Sequence, residues 1–202
     1  MVKITPTNLL TISLSILSHS ALTLSPTHAQ EQSSTNNNND NSEFFHTCSG
    51  GNYEKFLTLL NANPSLLHAT TPDGEHCLHL CAISGNVDIV RTLLERGADP
   101  NIRSTFDQGL RMHPLSWSTY YGRYEILELL LTHGADIEAD FDLGGSVINE
   151  RTGELEKVTV LDVVEKILVN EMGEEERRRF VETRNLLMRF GAVRYAVVEP
   201  EL

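Results

Sequence analysis

The sequence predicts an all-α fold: a solenoid of helix-turn-helix units with long finger loops, preceded by a disordered leader. Three observations carry that reading. Residues 76–99 and 113–136 align with each other without a gap. Each copy holds two glycines twelve residues apart, Gly85 with Gly97 and Gly122 with Gly134. Between them, Ile89, Val90, Leu93 and Leu94 recur as Ile126, Leu127, Leu130 and Leu131, at the i, i+1, i+4, i+5 spacing of one helix face. Self-similarity at a fixed period marks units that bury their apolar faces only by stacking on one another.

Each copy divides into two helices. In the first, Leu78, Cys81 and Ala82, and then Leu115, Ser118 and Thr119, form the packed side, where small residues let neighbouring units approach. Gly85 and Gly122 reverse the chain at a positive φ, which glycine adopts at no steric cost. Gly97 and Gly134 cap the second helix beyond its last turn.

Two further copies are degenerate. The first runs from Phe44 to Gly51 and then Tyr53 to Leu60, with Gly51 standing 34 residues before Gly85. Asn63, twelve residues past Gly51, is expected in the left-handed conformation, and Pro64 stops the helix. The last copy opens with Thr159-Val160-Leu161-Asp162-Val163-Val164 and closes with Leu186 to Val193. Between those pieces lie about eleven extra residues, and atypical terminal units are expected where one face meets water.

The pattern closely resembles the ankyrin repeat, whose signature runs from a TPLH-like helix start through a mid-repeat glycine to LLxxGAD. The resemblance covers residues 44 to about 193. It departs at the helix starts, where His76 and His113 replace the threonine of TPLH. The motif histidine persists only as His79, with Ser116 and Asp162 elsewhere. In the family those side chains stitch the helix start to the neighbouring loop, so their partial loss implies a less regular and less stable stack.

The resemblance also implies a protein partner, engaged by the finger tips and the exposed face of the first helices. The finger Thr71–Glu75 is a tight turn. The next, Arg103–Met112, is longer and displays Phe106, Leu110 and Met112. The third, residues 140–158, places 146–148 and 155–158 to pair as a hairpin around Thr152-Gly153. On the first helices the variable positions are Ile83-Ser84 and Tyr120-Tyr121, and aromatic residues are favoured interface anchors. Trp117 aligns with the core position Leu80. The candidate partner-binding set is therefore Tyr120, Tyr121, Phe106, Leu110, Met112, Ile83 and Glu75, with the groove between the tyrosine pair and the two long fingers at its centre.

The chemistry-bearing motifs are few. There is no glycine-rich phosphate loop, nucleophile elbow or HExxH, so neither an enzyme nor a cofactor is expected. Cys48, Cys77 and Cys81 are an odd count without a disulfide-framework pattern. Cys77 and Cys81 read as small apolar residues facing inward. A metal-binding protein built on Cys77, Cys81, His76 and His79 is the sharper alternative, but four ligands within six residues of one helix do not converge on a tetrahedral ion.

Charge narrows the partner further. The 16 basic and 28 acidic residues leave a net charge of −12, which excludes a phosphate-tracking nucleic-acid surface and favours a partner with a basic surface. Glu174-Glu175-Glu176 and Arg177-Arg178-Arg179 are spaced to pair along a helix. Residues 1–29 carry one Lys3, an uncharged stretch over 4–24 and a small residue at Ala29, the outline of a secretory signal peptide. A disordered leader is the alternative. No stable membrane span is expected. A cleaved signal implies the secretory pathway or an extracytoplasmic location, and an uncleaved one the cytoplasm. Residues 30–42 read as a disordered polar linker, 43–195 as the repeat domain and 196–202 as a tail. The expected function is a monomeric protein-interaction adaptor or scaffold, with an inhibitor of a partner enzyme as the alternative.

Overall fold

A computed structural model of the protein describes residues 37–105, 111–139, 147–148, 155–156 and 158–194. The helices are α1 (Asn37–Gly50), α2 (Tyr53–Ala62), α3 (Cys77–Ser84), α4 (Val87–Glu95), α5 (Pro114–Tyr120), α6 (Tyr124–Thr132), α7 (Val160–Leu168) and α8 (Glu174–Arg189). They form four antiparallel pairs in two layers. The first helices α1, α3, α5 and α7 contact one another in succession, and α2, α4, α6 and α8 do the same behind them. A short antiparallel pair, β1 (Val147–Ile148) and β2 (Leu155–Glu156), lies in the third finger, with Val147 opposite Glu156 and Ile148 opposite Leu155. It is the hairpin the finger sequence implies.

The core follows the repeat pattern. Leu78, Cys81, Ala82, Leu115, Ser118 and Thr119 are buried between first helices, and both sets of four apolar residues on α4 and α6 are buried as well. Gly85 and Gly122 turn at φ +92° and +62°. Gly122 is doubly constrained, since a Cβ there would stand 3.3 Å from the Phe180 ring.

The first unit departs from expectation twice. Helix α1 starts at Asn37, six residues inside the stretch 30–42 read as linker. Once Phe44, Phe45, Thr47 and Cys48 are docked, each added turn extends an existing helix and needs no new nucleus. Asn63 is not left-handed; it is extended at φ −139° and ψ +90°. Pro64 enforces this, because its ring disfavours the helical region for the residue before it. The Asn63 side chain instead accepts from Ser65 N at 3.2 Å and starts a 3-10 turn over Pro64–His68.

The last unit absorbs its extra residues by lengthening. Helix α8 has 16 residues and begins at the acidic run. Of the arginines there, Arg178 pairs with Glu175 at 2.8 Å and approaches Glu182 at 3.9 Å. Arg177 instead donates to the backbone carbonyls of Leu168 and Asn170, closing the open end of α7.

The units are also stitched across their loops. Asn101 donates to Gly134 O at 3.0 Å and accepts from Asp136 N at 2.7 Å. Tyr53 and Thr92 hydroxyls meet at 3.1 Å between α2 and α4. No helix among the described residues is long and apolar enough to cross a membrane. The signal-like segment 1–29 and the tail 196–202 lie outside the described residues.

Candidate partner-binding surface

Helix α5 ends in an aromatic stack. Trp117 is buried and Tyr121 stacks on it with ring centroids 6.1 Å apart; Tyr120 meets Tyr121 edge-to-face at 5.3 Å. Both tyrosines are half-buried, and burial together with Tyr121 raises the pKa of Tyr120. Aromatic pairs in this geometry add about 0.5–1.5 kcal/mol beyond their area, so the two rings form a stiff ledge. Ile83, one unit earlier, is half-buried beside the core, and its carbonyl accepts from Arg123 Nε and Nη2, both at 3.2 Å. Sequence positions 83, 120 and 121 thus come to equivalent ends of α3 and α5. Trp117 is a core residue, as its alignment with Leu80 implies.

The finger side differs from expectation. Met112 is only 1% exposed and is no display residue. Ser104 N donates to Met112 O at 3.3 Å, and the Met112 side chain belongs to the buried core. Glu75 also turns inward: its side chain is 16% exposed and lies 3.3 Å from His79 Nδ1. Burial, opposed by a hydrogen bond from Ser104, raises its pKa to about 7. Met112 offers a partner no surface, and Glu75 very little. Phe106 and Leu110 lie outside the described residues.

The helix starts explain the finger geometry. His79 is fully buried; its Nδ1 accepts from His76 N at 3.1 Å and its Nε2 donates to Ile102 O at 3.1 Å. Burial, reinforced by the neighbouring His76, holds it neutral, with a pKa near 3. In the last unit Thr159 and Asp162 form a capping box, with Thr159 N donating to Asp162 Oδ2 at 3.1 Å. Ser116 takes the histidine's place in the third unit, and its buried hydroxyl has no hydrogen-bond partner among the described residues.

A family model described as ankyrin repeats (3 copies) matches this chain over residues 19–104 and 44–140. The chain belongs to the ankyrin-repeat family. Among curated proteins it is similar to rat Transient receptor potential cation channel subfamily V member 5, with 32% identity over 111 residues, 48% of this chain and 15% of that protein. It is similar to rat Ankyrin repeat and SAM domain-containing protein 6, with 30% identity over 95 residues, 47% of the chain and 10% of that protein. A Probable E3 ubiquitin-protein ligase XBOS33 of Oryza sativa subsp. japonica matches at 33% over 93 residues, 45% of the chain and 17% of that protein. The chain therefore spans under a fifth of each of these relatives.

Ankyrin stacks are protein-interaction frames, and the last unit here, α7 with α8, extends the stack beyond the matched region. The cysteines do not arrange themselves as the sequence implies. Cys48, which stood outside the Cys77, Cys81, His76 and His79 set, is disulfide-bonded to Cys77, and the three sulfurs converge within 4.8 Å of one another. Both ring nitrogens of His79 are engaged elsewhere. The advance signal in the sequence is only that the three cysteines fall on adjacent first helices, Cys48 three residues before the mid-repeat Gly51, and Cys77 and Cys81 eight and four before Gly85.

Proposed function

We propose that this ankyrin stack is an interaction module, an adaptor or scaffold that holds one protein partner against the α3–α5 ends and the long fingers. The tyrosine pair carries the reading: two half-buried rings, edge-to-face with each other and with Tyr121 stacked on buried Trp117, are already ordered before a partner arrives. An anchor of this kind binds without the side-chain ordering that weakens flexible surfaces. The net charge of −12 supports a partner with a basic surface, drawn in by long-range attraction. The uncharged stretch at residues 4–24 supports a secretory or extracytoplasmic setting for that encounter.

The test compares the full chain with its Tyr120→Ala/Tyr121→Ala variant as baits in native extract, alongside thermal melts of both. The expected result is a set of proteins captured by the parent and lost by the variant, while the melting temperature falls only slightly. Identical capture by both baits overturns the tyrosine site.

A further inference from the structure

Three sulfurs meet where the first unit joins the second. Cys48, near the end of α1, is bonded to Cys77 in the first turn of α3, with Cα atoms 5.6 Å apart, inside the usual disulfide span. Cys81, one turn further along α3, holds its sulfur 3.9 Å from that of Cys77. All three residues are buried. The Cys48 carbonyl accepts from Cys81 Sγ at 3.2 Å, Ser84 Oγ at 3.3 Å and Asn86 Nδ2 at 2.5 Å, so the two helices are registered by hydrogen bonds at the same point.

We propose that this cluster is an oxidation site whose Cys48–Cys77 bond clasps the N-terminal repeat onto the rest of the stack. The bond forms by exchange with a thiol–disulfide carrier. Two S–H bonds break, one S–S bond forms, and the two electrons and two protons reduce the carrier disulfide to its dithiol. The clasp acts where the solenoid is weakest, since a terminal unit has one neighbour and not two. It closes the 29-residue separation that contains α2 and the 3-10 turn. Cys81 is a spectator. Burial pushes its thiol pKa far up, and a protonated thiol does not attack the adjacent disulfide. A three-sulfur metal site is the competing use of the same atoms, but it requires the Cys48–Cys77 bond to be absent.

The test uses the full chain expressed through an oxidising compartment. Alkylation under denaturing conditions is expected to modify one thiol, mapped to Cys81, and three after reduction, with no retained zinc or copper. Reduction is expected to lower the melting temperature by roughly 5–10 °C and to speed amide exchange over residues 44–60, leaving 113–131 unchanged. Cys48→Ala is expected to abolish this response to reductant and Cys81→Ala to keep it. Three modifiable thiols before reduction overturn the clasp, and stoichiometric metal with them assigns the metal site instead. A Cys48→Ala protein that still responds to reductant overturns it equally.

Discussion

Arg123 binds the third repeat to the second through a backbone carbonyl, its Nε and Nη2 both donating to Ile83 O at 3.2 Å. Asn86 makes the same reach one unit earlier, to Cys48 O. Each residue directly follows a mid-repeat glycine, and Gly85 leaves open the space that the Arg123 side chain occupies. Replacing Arg123 by Ala is expected to destabilise the stack by about 1–2 kcal/mol, and Lys to recover only part of it, because an ammonium does not reproduce the two-pronged contact. Urea unfolding of the three proteins measures this.

His79 and Ser116 occupy the same position in successive units with opposite consequences. His79→Ala removes two hydrogen bonds and leaves a cavity, for an expected loss of about 2–4 kcal/mol. Ser116→Ala removes a buried hydroxyl that has no partner among the described residues, so the expected change is near zero or a gain of up to about 1 kcal/mol. Matched thermal melts distinguish the two, and a large loss on Ser116→Ala contradicts the assignment.

Glu75 and His79 give the stack a defined pH response. Glu75 titrates near 7 in the folded chain, above its ordinary value of 4.5, so its contribution is present below pH 4.5 and is lost as pH rises through 7. His79 titrates near 3, below its ordinary 6.5, so its contribution is present above pH 6.5 and is lost as pH falls towards 3. The two oppose each other between about pH 4.5 and 6.5. Glu75→Gln is therefore expected to raise the melting temperature at pH 8 relative to the parent and to lose that advantage by pH 4.5. A gain that persists unchanged at low pH contradicts the inward, protonatable carboxyl.

Gly122 meets Phe180 of the last unit, at a φ that side chains rarely adopt. Gly122→Ala is expected to cost about 1–3 kcal/mol and to loosen α8 before the central helices. Limited proteolysis is expected to cut within 174–189 first.

The two central units were fully legible in the sequence, because the spacing of Gly85, Gly97, Gly122 and Gly134 and the apolar stripes between them are local properties. The tyrosine pair was legible for the same reason: its register relative to Gly122 places it at the end of α5. The inward turn of Met112 and Glu75 is not legible in the sequence, because the direction of a loop side chain depends on what lies beneath it, here His79 and the closure of Ser104 on Met112. The distance of Asn63 from Gly51 suggests a left-handed cap, but the steric hold of Pro64 on its neighbour keeps Asn63 extended. The Cys48–Cys77 bond joins a degenerate unit to a regular one, and an odd cysteine count offered no pairing rule.

The reach of Asn86 to Cys48 O and of Arg123 to Ile83 O has one direction: in both, the donor belongs to the later unit and the acceptor to the earlier. As the chain leaves the ribosome, each acceptor emerges before the side chain that will claim it. At these two joints the later unit therefore arrives at an acceptor already made, whereas Asn101 waits for the Gly134 carbonyl and Asp136 N–H of the unit that follows it.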